Sequence, residues 1–444
     1  MTHSGPVHAD LLIHASWIVT GTEDQVVHEN ACLAVSDGKI LEILHSASVA
    51  ARYEAPVELN LQGHALMPGL VNTHGHAAMA LFRGIADDLS LHTWLEQYIW
   101  PLEGKWVSEE FVYQGTQLAI AEMICSGTTS FADMYFFPDA SARAATEAGI
   151  RVQLASPIID FPNPWSSSAE EAIQKTSVLH DEWRHSTLVT TAFGPHAPYS
   201  LSDEPIRKIV MLSELLDIPV HMHIHETSFE VEDALSKHGQ RPLARLAELG
   251  LLSPRLVCVH ATQLTDDEIE LLNTTGVNIA HCPESNLKLA SGFCPVDKLI
   301  RAGVNVSLGT DGAASNNDLD MFSEMRTAAL LAKAVSGDAR ALPAYKALQM
   351  ATINGARALG LDQFTGTLES GKQADVIAVK LNDLNSVPVH NPVSQLVYST
   401  KSSQVKHVWV NGRHLLDDGE FTTLNKQKLL DMAQHWQKTL ETLI

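Results

Sequence analysis

Met67-Pro68-Gly69-Leu70-Val71-Asn72-Thr73-His74-Gly75-His76 joins a short apolar run to a His-x-His pair. The run has the composition of a buried strand. In an extended chain, residues two apart project to the same side, so both imidazoles can reach one ion while Gly75 leaves room between them. His-x-His alone is a weak sign of metal chemistry. Its meaning depends on what lies at the ends of the other strands.

Working outward, strand-like runs at 70–73, 128–132, 152–158, 188–192, 220–223, 256–260, 277–280 and 304–308 alternate with amphipathic segments such as 204–216, 266–275 and 296–302. Eight strands with intervening helices over about 250 residues predict an α/β fold of the (β/α)8 barrel type. A doubly wound open sheet is the alternative, but no Gly-rich phosphate loop follows an early strand. The first sixty or so residues and the last seventy read instead as short strands, with Asn411-Gly412 a hairpin turn and a helix at 426–442. The expected organisation is a barrel over 67–369 and a small composite β-sandwich from 1–66 and 370–444.

In a barrel of this kind the carboxyl ends of all strands open onto one mouth, where active sites are built. His74 and His76 end the first strand. Glu103 follows in the same connection, and His196 follows the fourth strand. The fifth reads Val220-His221-Met222-His223-Ile224-His225-Glu226, the sixth ends at His260, the seventh at His281, and the eighth leads to Asp311. His74, His76, a third imidazole and Asp311 form a divalent-metal ligand set suited to zinc or ferrous iron. His223 is the expected third ligand, although period two leaves His221 and His225 open as alternatives. Glu226 suits a proton shuttle and His260 a partner for the attacking water. The segment His281-Cys282-Pro283-Glu284-Ser285-Asn286 is expected to line the pocket, and Ser315 to contact the site.

Composition restricts the partners. Among 444 residues, 30 Lys plus Arg stand against 52 Asp plus Glu, a formal charge of −22. That balance excludes nucleic acid and anionic membrane as main partners but leaves room for a small adenine-type ligand. The N-terminal ten residues lack a basic-then-apolar signal pattern, and no apolar run has the ~18–20 residues of a membrane helix. Five cysteines without Cys-x-x-Cys spacing favour a reduced, cytoplasmic setting, and 22 histidines point to nitrogen and oxygen metal chemistry.

Several motifs together resemble the amidohydrolase superfamily. They are the 67–76 segment, Leu81-Phe82-Arg83-Gly84, Trp94-Leu95, Gly127 to Tyr135, Gly194-Pro195-His196, His223-Ile224-His225-Glu226-Thr227, Ser285 to Leu289, Gly309-Thr310-Asp311-Gly312 and Gly366 to Asp375. Within that superfamily the chain is similar to the 5'-methylthioadenosine/S-adenosylhomocysteine deaminase branch. The resemblance implies one divalent metal, zinc first with iron or manganese as alternatives, held by His74, His76, His223 and Asp311. It implies catalytic roles for Glu226, His260 and Asp311. Substrate contacts are implied for Glu103 (ribose), His196 (near the sugar), Trp94 and Glu226, with Ser315 beside them. It further implies hydrolytic deamination of a nucleoside at adenine C6 and, as in many barrel enzymes, a homodimer or tetramer. Guanine deaminase or s-triazine hydrolase chemistry is the alternative. One departure concerns the 5' substituent: residues 156–171 contain no Lys or Arg to meet an α-carboxylate, whereas Phe161 and Trp165 suit a methylthio group.

Overall fold

The computed structural model describes residues 6–441. The first five residues of the N-terminal segment, and Thr442 at the end of the expected last helix, lie outside the described residues.

Eight parallel strands run in sequence order as neighbours, from Leu70–Asn72 through Thr128–Asp133, Arg151–Ile158, Val189–Pro195, Val220–Ile224, Leu256–His260 and Asn278–His281 to Val306–Leu308. Last and first strands meet through Thr73 N–H and Oγ1, which donate to the carbonyl of Leu308 at 2.9 and 2.8 Å, so the sheet closes into a barrel. The strand composition follows from this closure. Parallel strands covered by helices are buried on both faces, and Val220–Ile224 and Leu256–His260 are buried at every residue. The intervening helices carry local signals that start and stop them. Asp266–Thr275 begins with a capping box between Thr265 and Glu268 and ends at Gly276, which takes the left-handed conformation at φ 73°.

The second sheet also has eight strands, and it draws on both ends of the chain. Val57–Pro68 is its central element. It pairs in parallel with Leu11–Val19 and antiparallel with Val376–Lys380, joining N- and C-terminal strands side by side. Val57 to Gln62 alternates apolar and polar residues, until Gly63 at φ 78° interrupts the pattern. The expected short strands near the N-terminus include one of nine residues, Leu11–Val19, with a register shift between Ala15 and Trp17. The Asn411-Gly412 turn joins Val405–Val410 to Arg413–Asp417, with both residues at positive φ, 51° and 72°. Barrel and sheet are joined by a buried ion pair. Arg151 Nε donates to Asp375 Oδ2 at 2.6 Å, and Gly69 N–H donates to the Asp375 carbonyl at 3.0 Å.

Among the described residues no helix is long and apolar enough to cross a membrane.

Candidate active site

The barrel brings the expected ligand atoms together from three strand ends. His74 Nε2 lies 3.2 Å from His223 Nε2 and 3.4 Å from Asp311 Oδ1, and His76 Nε2 lies 3.2 Å from the same carboxylate oxygen. Each imidazole is fixed by what its other nitrogen meets. His76 Nδ1 donates to the Met134 carbonyl at 2.7 Å and His223 Nδ1 to the His196 carbonyl at 2.8 Å. A carbonyl only accepts, so both rings carry a proton on Nδ1 and turn Nε2 toward the cluster. His74 Nδ1 meets His221 Nε2 at 2.9 Å, which completes the same arrangement with an imidazole as acceptor. His221 therefore stands behind His74. His225 turns away, its Nε2 accepting from the Leu243 amide at 3.3 Å. Period two left these three histidines equivalent; the local geometry separates them.

Asp311 sits at φ 62°, a conformation that turns its carboxylate back over the strand ends. Its Oδ1 accepts from the Gly312 amide at 2.8 Å and its Oδ2 from the Ser285 hydroxyl at 2.7 Å. Burial alone would raise its pKa, but the facing His74 and His76 imidazoles hold it well below the usual carboxylate range. Burial pushes His74 down to about 4. It would do the same to His76, but the Asp311 carboxylate outweighs it and lifts that group to about 9. Three imidazole nitrogens and a carboxylate converging at 3.2–3.4 Å match the donor chemistry of one small divalent ion with bonds of about 2.0–2.2 Å.

A cavity of about 420 Å³ opens above this cluster. His76, His223, Asp311, His260, Glu226, His196, Glu103 and Trp94 all line it. His260 Nδ1 meets Asn286 Oδ1 at 2.8 Å, leaving Nε2 to face Glu226 Oε2 at 3.8 Å. Burial raises the Glu226 carboxyl above its ordinary range, so that group favours holding a proton. Glu103 projects from the helix Trp100–Trp106, which Pro101 helps to start. Burial pushes its carboxyl up to about 7, against the Tyr135 hydroxyl and the charge of His76. The Tyr135 hydroxyl is itself buried, lines the cavity and faces the Glu103 carboxyl.

Three expectations are corrected. Ser315 is buried behind the wall, hydrogen bonded to Ser285 at 3.1 Å, so it reaches the cluster only through Ser285 and Asp311. Trp165 is also absent from the wall. It packs against the core beneath Lys175, whose Nζ stands 5.4 Å from the ring centroid in a cation–π contact. Phe161 does line the cavity. The segment from His281 to Asn286 stands behind it, supplying Ser285 and Asn286 as supports, and only Leu289 beyond that segment reaches the wall. The sequence reading gave no role to Tyr135, and it took Ser285 and Asn286 for pocket lining where they are supports. All three lie inside the quoted motifs, but nothing in their spacing distinguishes a cavity contact from a structural one.

Comparison with known proteins agrees with this architecture. Residues 65–415 match the model of the amidohydrolase family. A 5-methylthioadenosine/S-adenosylhomocysteine deaminase of Saccharophagus degradans is 49% identical over 441 residues, covering 99% of this chain and 98% of its own. A 5'-deoxyadenosine deaminase of Methanosarcina barkeri is 41% identical over 436 residues, covering 98% of this chain and 99% of its own. The crystal structure of an adenosine deaminase from Xanthomonas campestris with bound zinc superposes with a TM-score of 0.98 at 48% identity, covering 99% of this chain and all of that one. Fold, cluster and full-length similarity lead to one conclusion: the chain belongs to the amidohydrolase family.

Proposed function

We propose that the protein hydrolytically removes the C6 amino group of adenosine analogues, 5'-methylthioadenosine foremost, giving the inosine analogue and ammonia. The observation that carries this reading is a single cavity with a His/Asp cluster at one end and the buried carboxyl of Glu103 on its wall. A nucleoside needs both: a centre for attack on the base, and a hydrogen-bonding group for the sugar. The full-length relatives named as adenosine-type deaminases support the nucleoside reading over a guanine or s-triazine substrate.

His74, His76, His223 and Asp311 are the residues that would hold the metal, and zinc is the ion their donor set and the zinc-bound relative support. Bound there, a divalent ion supplies Lewis acidity that brings the pKa of the attacking water toward ~7. The remaining work falls to the chain. His260, with Nδ1 held by Asn286, presents Nε2 to orient the water and accept its proton, and Asp311 shares that role. Glu226 gives its proton to ring N1 as the water oxygen adds to C6. The C6–N bond then breaks, the nitrogen leaves with a proton as ammonia, and C6 becomes a carbonyl. Glu103 and Tyr135 bind the ribose hydroxyls, with His196 beside the sugar and Trp94 against the apolar side of the cavity.

The 5' substituent meets Trp100, Phe161, Ile159 and Pro162, and no lysine or arginine lines the cavity among the described residues. An apolar methylthio group therefore fits better than a chain ending in an α-carboxylate, and we rank 5'-methylthioadenosine above S-adenosylhomocysteine. The five cysteines are unpaired, which supports a reducing, cytoplasmic setting. The test is loss of adenine-band absorbance by metal-replete enzyme with 5'-methylthioadenosine, adenosine, S-adenosylhomocysteine and guanine in parallel. Fast turnover of 5'-methylthioadenosine is expected. A higher kcat/KM for S-adenosylhomocysteine would overturn the ranking, and activity on guanine alone would overturn the substrate class.

A further inference from the structure

Far along the chain from the cavity, the second sheet carries another His/Asp cluster. His407 lies on Val405–Val410. His414 and Asp417 lie on Arg413–Asp417, the next strand of the same hairpin. His407 Nδ1 is 3.3 Å from His414 Nε2 and 3.2 Å from Asp417 Oδ1, and His414 Nε2 is 3.9 Å from that same oxygen. Three ligand atoms thus form one closed triangle. Two of its edges match the 3.2–3.4 Å separations in the catalytic cluster, and the third is longer. The point equidistant from all three lies about 2.0 Å from each, the length of a zinc–imidazole bond.

We propose that His407, His414 and Asp417 form a second binding site for a borderline divalent transition ion such as zinc, separate from the catalytic centre.

The surroundings favour a cation there. The Asp418 amide lies 3.4 Å from His407 Nδ1, a long contact that an ion would replace. The rings are also held in place. His407 and His414 both stack on the buried Trp409, with centroids 5.5 and 4.5 Å away and planes 15° and 13° apart. Two tight turns, Asn411-Gly412 and Asp418-Gly419, all at positive φ, fix the strands that carry them. Asp417 is more than half exposed, so an ion has a path in from solvent. Two imidazoles and one carboxylate select zinc, nickel or copper over magnesium or calcium. An ion at this place would clamp the hairpin and stabilise the folded chain by mass action.

The test loads the catalytic site, removes excess metal, and then dialyses the holoenzyme against micromolar free zinc. Wild-type protein is expected to take up one more equivalent per chain than His414→Asn, and one more than Asp417→Asn. Turnover should be the same in all three, and zinc should raise Tm in wild type only. Asp417→Asn alters an exposed side chain and guards against misfolding of the histidine variant. Equal zinc uptake by wild type and both variants would overturn the proposal, as would a wild type that takes up no zinc beyond the catalytic equivalent.

Discussion

Glu226 and Glu103 are two buried carboxyls in one cavity, and their surroundings suit them to different tasks. Glu226 faces His260 and the cluster, and burial raises its carboxyl above the ordinary range. Glu226→Gln removes a transferable proton while preserving shape, so kcat should fall by about 10²- to 10⁴-fold in a steady-state assay. Glu103 is expected to act on binding. Glu103→Gln weakens a hydrogen bond to a charged group worth about 1.5–3 kcal/mol, so KM for ribosylated substrates should rise by roughly one to two orders of magnitude with little change in kcat. The same substitution has a stability signature. The Glu103 pKa is raised, from 4.5 to about 7. The folded chain therefore holds a proton that the unfolded chain has lost between those values, and stability falls as pH rises through that window. In metal-free protein, Glu103→Gln should leave Tm unchanged near pH 4 and raise it near pH 8. A lower Tm at pH 8 would count against the buried, proton-holding description. The residue identities were readable because His, Glu and Asp are rare at apolar strand ends. The supports Asn286, Ser285 and His221 were not, because a hydrogen bond across 26 or 147 residues leaves no local pattern.

At the scale of elements, periodicity located all eight barrel strands, because strands buried on both faces are apolar throughout. Val57–Pro68 is absent from the expected strands although Val57 to Gln62 alternates; Gly63 at φ 78° and the fully buried Ala65 to Pro68 interrupt that pattern. The Asn411-Gly412 hairpin shows how much one turn can carry. Gly412 sits at φ 72°, and a Cβ there would stand 2.8 Å from the Cα of Gly38 in the N-terminal turn. Gly412→Ala should therefore cost the left-handed penalty of about 1–2 kcal/mol plus the displacement of Gly38, visible as a lower Tm with unchanged turnover. An unchanged Tm would mean that the two turns part readily.

Across the whole molecule, barrel and sheet are coupled by a few buried polar links. Arg151 gives Nε to Asp375 Oδ2 at 2.6 Å and Nη2 to Oδ1 at 3.1 Å, while Asp375 Oδ1 also accepts from the Asn411 amide at 2.6 Å. Removing one partner leaves an uncompensated buried charge, so Asp375→Ala should destabilise by about 3–5 kcal/mol, read by denaturation, while metal content of the remaining folded protein stays at wild-type level. Removing the metal should have the opposite pattern: a chelator should abolish deamination, zinc should restore it, and the barrel's secondary structure should persist by circular dichroism. By itself the sequence determined the barrel, the histidines and carboxylates at its mouth, and the kinship that gives them roles, because apolar periodicity and residue chemistry are local properties of the chain. Only the tertiary structure decided that His221 stands behind His74 while His225 turns away, that Ser315 and Trp165 stand behind the wall, and that His407, His414 and Asp417 converge. Those outcomes depend on the closure of the barrel and the register of paired strands, which bring together atoms that the sequence keeps apart.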